Sequence, residues 1–326
     1  MASDPRYGPR LDGVTLTVRP GLTIDTQSLA AFDFNAILTD GCQVGLPFLG
    51  GSLGAELWQV DREVSCGVDD EVSWRQAGDL LFLSWQVPDD GSVDPCRLAE
   101  AGYTRLLEFA RRRQLPCLLR AWNFMPDINL GQGDEERYRR FCLGRARTLE
   151  DSGVHVPELC AGTAIGGRDP MLRIFILAGS RPGINIENPR QVSAYRYPRI
   201  YGPRSPSFAR ATALPQPDGS MLLMISGTAS VVGHRTVHEG DLVAQLDEIE
   251  RNLRSLLSES AARLARPQLA DFGPGSLLRA YVRHAADWPA VRDHLARAWP
   301  EVPVVGLEGD ICRADLLVEI EAVCAG

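Results

Sequence analysis

The chain has 326 residues, is 44% hydrophobic and 23% charged, and carries a formal net charge of −8. These are ordinary values for a soluble globular protein of one large or two smaller domains, and they exclude a disordered, collagenous or coiled-coil chain. The acidic balance also argues against a general nucleic-acid binder, and no apolar run approaches the roughly 20 residues needed to cross a bilayer.

The first ~70 residues read as irregular strands. Leu80-Leu-Phe-Leu-Ser-Trp85 is a short buried strand, followed by an amphipathic helix over 95–113 with Leu98, Ala101, Leu106, Phe109 and Ala110 on its inner face. Leu119-Arg-Ala-Trp122 predicts a strand, 134–150 a second helix, and Met171 to Ala178 an apolar strand. The stretch Arg181 to Pro206 is rich in Pro, Tyr and Arg rather than Gly and Ser, which predicts an ordered connector. Beyond it, Leu222-Leu-Met-Ile-Ser-Gly227 nearly repeats the string at 80–85. A helix over 241–258, a strand Leu278-Arg-Ala-Tyr281, a helix over 287–298 and a strand Leu316 to Val323 follow. The same five elements occur twice in the same order. This predicts an α+β chain of two β-α-β-α-β halves, divided as residues 1–185, a connector 186–206 and residues 207–326.

Every one of the 34 cations is arginine. Lysine Schiff-base and lysine-nucleophile chemistry are therefore excluded, and any anion must be held by guanidinium groups. The eight cysteines form no CxxC pair and none stands near a His at zinc-finger spacing, so reduced thiols are expected. Met1-Ala-Ser-Asp-Pro-Arg6 lacks the charged and apolar regions of a signal peptide, and a cytoplasmic protein is expected. His234 and His238 have i, i+4 spacing between Gly233 and Gly240. No carboxylate cluster completes a site, and no metal or cofactor is expected. The Gly-rich runs 50–54 and 162–167 fit neither a P-loop nor GxGxxG, and read as turns or as close backbone approach to a ligand.

Three groups carry candidate chemistry. On a period of two, Leu317, Glu319 and Glu321 share one face of the last strand. The pattern leaves open whether both carboxylates face water or one works in a cleft. Tyr138, Phe141, Cys142 and Arg145 fall on one face of the 134–150 helix, with Arg137, Arg139 and Arg140 off it and expected in solvent. A buried Arg145 needs a partner, either an internal carboxylate or a substrate's. Cys312 stands in the loop before the last strand, as a small buried hydrophobe or a reacting thiol.

The second half resembles the Rid, or YjgF-like, family in its strand ending Ser226-Gly227, its Leu-rich helix, its Leu-Arg-Ala-Tyr-Val-Arg strand and its terminal Leu-Val-Glu-Ile-Glu-Ala. Two such halves imply an active site in the cleft between them. Val302 to Gly306 lacks the carboxylate-binding Arg that ordinary Rid enzymes place there, which argues against imine deamination. The chain as a whole resembles the chorismatases. The segments are Arg120-Ala-Trp-Asn-Phe with Ile128-Asn129, Phe141-Cys-Leu-Gly-Arg-Ala146, Ile184-Asn-Ile-Glu-Asn-Pro189, Tyr201-Gly-Pro-Arg204, Phe208-Ala-Arg-Ala211, Ile225-Ser-Gly-Thr-Ala229, Gly233-His-Arg-Thr236 and Asp310-Ile-Cys-Arg313.

The resemblance implies an enzyme that splits chorismate, with Glu319 as general acid toward the enolpyruvyl methylene. Tyr138 with Arg145 and Tyr201 with Arg210 are implied as clamps for the two substrate carboxylates. Cys312 with Gly227 implies the subclass that forms 3-hydroxybenzoate and pyruvate. The hydrolytic subclass, a mixed 3- and 4-hydroxybenzoate producer, and a non-catalytic Rid-like metabolite binder remain the alternatives. A monomer is expected, with no nucleic-acid or membrane partner.

Overall fold

The computed structural model describes residues 14–38 and 40–326, so the signal-peptide reading of residues 1–6 lies outside the described residues. The chain opens with five strands: β1 (Leu16–Pro20), β2 (Ser28–Asp33), β3 (Cys42–Gln43), β4 (Phe48–Gly51) and β5 (Ala55–Val60). Four of them make a sheet in the order β1-β5-β2-β3, and β4 leaves it for the edge of another sheet. Every residue of β2 is buried, so this segment is a wall of the core.

The first repeat follows as β6 (Ser65–Asp69), β7 (Val72–Ala77), β8 (Leu80–Pro88), α1 (Pro95–Arg112), β9 (Cys117–Pro126), α2 (Arg137–Asp151), β10 (Ala161–Gly167) and β11 (Met171–Gly179). Helix α1 starts where its sequence predicts: the Asp94 side chain accepts from the Cys96 amide at 2.9 Å, and Pro95 occupies the first turn. Its buried stripe, Ala99, Tyr103, Leu106 and Ala110, recurs at helical spacing and packs with Leu81, Leu83 and Ile174 of the sheet.

The connector adds β12 (Ile184–Ile186) to the second repeat and then runs through two single-turn helices at 194–196 and 199–201. The second repeat is β13 (Ala211–Pro215), β14 (Met221–Ala229), a small hairpin of β15 (Val231–Val232) and β16 (Arg235–Thr236), α3 (Leu242–Leu264), β17 (Leu277–Val282), α4 (Trp288–Ala298), β18 (Val304–Glu308) and β19 (Val318–Ala325). Helix α3 is capped by Asp241, which accepts from the Ala244 amide at 3.0 Å, and buries Leu246, Ile249, Leu253 and Leu257.

The two sheets run β10-β9-β11-β8-β7-β6 and β12-β13-β14-β19-β17-β18-β4. Superposed by order, β10-β9-β11-β8-β7 corresponds to β18-β17-β19-β14-β13. The duplicated α+β architecture is present, with three sheet strands more in each half than the pattern predicts: β6, β7 and β10 in the first and β12, β13 and β18 in the second, β10 being made of the Gly-rich run read as turns. Small residues disguise β10 because it is squeezed: a Cβ on Gly166 would lie 2.3 Å from Ile128 and 2.9 Å from the Asp310 side chain. The first sheet carries α1 and α2 on its outer face, and the second carries α3 and α4. The inner faces of both meet the N-terminal sheet in one shared core, which includes Phe32, Trp58, Trp122, Phe175, Met224 and Tyr281. Among the described residues no helix is long and apolar enough to cross a membrane.

Candidate active site

Strand β10 of the first half lies against β14 of the second, and the contact is a built irregularity. Register along β14 and β19 runs Ile225 to Ala322, then skips to Thr228 opposite Ile320 and Ala229 opposite Glu319. Ser226 and Gly227 thus form a bulge opposite Glu321, a device that re-aims side chains. The bulge is tied to the other half. The Ser226 hydroxyl donates to the Ala209 carbonyl at 2.6 Å and accepts from the Gly162 amide at 2.9 Å. The Gly227 amide donates to Thr163 Oγ1 at 3.2 Å.

Beside this bulge opens a cleft of about 380 Å³. It is lined by Tyr138, Arg145, Tyr201, Arg210, Gly227, Cys312 and Glu319, so all seven residues singled out from the sequence meet there. Thr163, Tyr197, Phe208 and Arg313 line it too.

Glu319 and Glu321 are both buried, 5% and 4% exposed, so neither faces bulk water. Their surroundings differ. Glu321 is held by Arg120 at 2.9 Å, by Arg279 at 3.1 Å and by the Trp122 indole N–H at 3.1 Å. Burial would raise its carboxyl, but Arg279 and Arg120 hold it below the ordinary range. Glu319 faces the cleft. Burial first, and the Glu321 charge second, push it up to about 8 against the pull of Arg120 and Arg210. Two carboxyls two residues apart are thus driven in opposite directions. Across β17 and β19, Tyr281 stands opposite Glu319; across β9 and β11, Trp122 stands opposite Phe175. The place of Glu319 in the first repeat is therefore taken by a phenylalanine packed on Phe32, Phe82 and Phe124. The duplication carries this carboxyl once.

Gly227 is there for space. A Cβ at this position would lie 1.8 Å from Glu319 Oε1 and 2.5 Å from its Cδ. The room it leaves is room for the carboxyl itself. Cys312 is half-buried, and its thiol is pushed up by burial and by the neighbouring Glu319, so it stands in the cleft as a neutral thiol.

Arg145 is 5% exposed and makes no ion pair among the described residues; its guanidinium sits 5.2 Å from the Tyr103 ring and its Nε has no partner. The internal carboxylate allowed for by the sequence is absent among the described residues. Arg210, also 5% exposed, donates to the Tyr197 hydroxyl at 2.7 Å and the Val192 carbonyl at 2.9 Å, and its Nε is likewise unpartnered. Glu187 feels Arg210 as Glu319 does: burial raises it and Arg210 opposes the rise. Two buried guanidiniums thus line one cleft, each with an Nε that has no partner among the described residues, an arrangement able to receive an anion at either end.

Tyr201 stacks under Arg313, 4.1 Å from guanidinium carbon to ring centroid, and its hydroxyl meets His234 Nδ1 at 3.3 Å. His238 lies instead near Glu248 at 3.7 Å, so the two histidines do not converge. Among the described residues no three His, Cys, Asp or Glu side chains are placed to hold a metal. The expectation that Arg137, Arg139 and Arg140 are solvated is corrected. Arg137 is buried, donating to the Pro126 carbonyl and pairing with Asp89, Arg140 pairs with Asp94, and Arg139 pairs with Glu136 at 3.2 Å and lines the cleft. The helix packs along two sides, against α1 and the β9 end as well as the cleft, so one stripe does not exhaust its buried face. Thr163 and Arg313 were missed. Thr163 sits in the run taken for turns, and Arg313 has no periodic element around it.

Comparison with known proteins converges on one family. The family described as "Chorismatase FkbO/Hyg5-like, N-terminal" matches residues 56–178. A 3-hydroxybenzoate synthase of Streptomyces hygroscopicus is 40% identical over 278 residues, covering 82% of this chain and 81% of that one. A chorismatase of the same organism is 37% identical over 83% of this chain and 79% of its own. A crystal structure of a chorismatase superposes with a TM-score of 0.82 at 33% identity, covering 96% of this chain and 99% of that chain.

Proposed function

The chain belongs to the chorismatase family, and from that premise we propose that it converts chorismate to 3-hydroxybenzoate and pyruvate. The observation that carries this is a buried carboxyl, Glu319, raised by burial, in a cleft with two buried arginines that make no ion pair among the described residues. Chorismate bears two carboxylates and an enol ether that is cleaved by protonation at its methylene carbon.

Glu319 delivers that proton, making an oxocarbenium of the enolpyruvyl unit. The neighbouring ring hydroxyl displaces the ether oxygen, whose bonding pair becomes the keto group of departing pyruvate, and the hydroxyl gives up its proton. The resulting epoxide opens, the ring carbon loses its hydrogen and the oxygen gains one. Chorismate thus becomes pyruvate and hydroxybenzoate with no net water. Arg145 with Tyr138 and Arg210 with Tyr201 hold the two carboxylates, and Cys312 assists aromatisation as a thiol. Residues 1–185 and 207–326 supply the two walls and the 186–206 connector supplies Tyr197 and Tyr201. One chain completes the cleft, so the active unit is a monomer.

Incubation of the purified protein with chorismate tests the reading. Equimolar pyruvate and 3-hydroxybenzoate are expected; no turnover at all leaves a metabolite binder, and a product heavier by one water gives the hydrolytic reaction.

Product choice offers a finer check. An alanine at 227 crowds the Glu319 carboxyl and turns it into the cleft, changing where the proton and the ring sit relative to one another. Removing the Cys312 thiol slows aromatisation. The Gly227→Ala, Cys312→Ala double variant is therefore expected to shift output toward the dihydroxy acid formed by water capture. A change of about 1.4 kcal/mol between the two barriers alters the ratio tenfold. Product analysis by chromatography in ¹⁸O water reads it, and an active variant still making only 3-hydroxybenzoate contradicts it.

A further inference from the structure

Behind the cleft lies a chain of four buried charges that the reaction as written does not use. Glu56 of β5 accepts from Arg279 of β17 twice, at 2.9 Å from Nε and 2.7 Å from a terminal nitrogen. Arg279 stands directly opposite Glu321 in the β17–β19 ladder and reaches its carboxylate at 3.1 Å. Arg120 of β9 holds the other oxygen of Glu321 at 2.9 Å. All four residues are at most 4% exposed. Signs alternate along the row and the sum is zero. The two arginines are the matching residues of the repeated Leu-Arg-Ala-aromatic strings, so both halves meet on one carboxylate, and the N-terminal sheet adds the fourth charge.

Such a row is a poor device for stability, because buried ion pairs of this kind roughly offset their desolvation. It is a good device for fixing a charge in place. We propose that Glu56, Arg279 and Arg120 are positioning residues for the reaction, locking Glu321 as a permanent anion directly behind Glu319 so that Glu319 stays a proton donor. The proposal rests on the reading of Glu319 as the acid.

Other charges face Glu319 as well. Arg210 lies before β13, Cys312 is in the loop before β19, Tyr138 and Arg145 project from α2, and Tyr281 is its ladder partner. Glu136, Arg139, Arg313 and Asp315 line the same cleft with two charges of each sign. Among these, the anion nearest in the strand is Glu321, and its charge is the one whose effect on Glu319 adds to burial. Glu56 never touches the cleft. Its influence runs through Arg279: with Glu56 neutral, Arg279 is left with half its counter-charge, and the surplus positive field favours ionised Glu319.

The experiment is kcat/KM for chorismate against pH in the wild-type protein, Glu56→Gln and Glu56→Asp. The wild type is expected to lose activity above about pH 8, where the acid deprotonates. Glu56→Gln moves that fall about one unit lower, keeps its activity at pH 6 within about threefold, and so is about fivefold slower than wild type at pH 8, where the wild type is itself half deprotonated. Glu56→Asp, which keeps the charge, restores the wild-type limb. A merely structural Glu56 instead scales activity equally at every pH, and that result overturns the proposal. Should Glu56→Gln not fold, Glu321→Gln is read by the same criterion. Failure of both to fold assigns the row to stability alone and also overturns it. The underlying reading fails separately: an active Glu319→Gln variant removes the acid, whereas an inactive one beside an unshifted Glu56→Gln limb removes only the row.

Discussion

Glu319→Gln is expected to lower turnover of chorismate by about 10²–10⁴-fold, the usual worth of a positioned general acid, without loss of fold. The amide keeps the shape of the carboxyl and has no proton to give to a methylene carbon. The backbone of β19 stays paired on both sides, to β14 and β17. The same substitution is expected to raise stability at neutral pH, and the sign follows from the direction of the shift. Glu319 is raised in the folded protein to about 8, while an unfolded Glu titrates near its ordinary value of about 4.3. The folded state therefore holds the proton longer. The stability linked to it is full below about pH 4 and is lost progressively as pH rises to about 8. By pH 7 the loss is on the order of 3 kcal/mol, and the glutamine variant does not incur it. Thermal melts of both proteins across that range should diverge as pH rises. An unchanged kcat removes Glu319 from the mechanism, and parallel melts contradict its raised carboxyl.

Arg145→Ala and Arg210→Ala are expected to lower kcat/KM for chorismate by roughly 30-fold to several thousand-fold each. Removing one partner of a buried charge pair costs on the order of 2–5 kcal/mol, and each of these guanidiniums lines the cleft and makes no ion pair among the described residues. Lysine at either position should recover only part of the loss, because an ammonium carries the charge without the fork. The losses should differ in kind. The Arg145 guanidinium has no hydrogen-bond partner among the described residues and touches the Tyr103 ring, so its removal acts chiefly on substrate. Arg210 also anchors the connector through Tyr197 and Val192, so its removal should loosen that wall as well. Steady-state kinetics on the four variants read this, and an alanine variant with unchanged kcat/KM shows that its arginine does not hold the substrate.

Periodicity made the helices legible: α1 and α3 announce themselves by apolar stripes. The repeated strings at 80–85 and 222–227 exposed the duplication. What stayed hidden is local in a different sense. β10 is built of Ala, Gly and Thr because the two halves press together there, and close approach removes the side chains that mark a strand. In the N-terminal sheet all of β2 and nearly all of β5 are buried, so neither shows a clean alternation. Glu319 could be singled out as a carboxylate in an apolar strand, but its contrast with Glu321 depends on arginines at 120 and 279, far away in sequence. The pairing of Arg279 with Glu56 is farther still. Such contacts follow from topology, and no spacing encodes them. Gly227 is a middle case: its identity was read as meaningful, while its reason, the carboxyl of Glu319 packed against its backbone, needed the bulge in β14.

The central claim is that Glu319 is a protonated carboxyl in the empty cleft at neutral pH. Difference infrared titration of the wild-type protein against Glu319→Gln measures this directly through the carbonyl stretch of a protonated carboxyl. The account predicts a band that is absent from the variant, present at pH 7 and lost near pH 8. A wild-type protein whose Glu319 band is already gone by about pH 6 contradicts it.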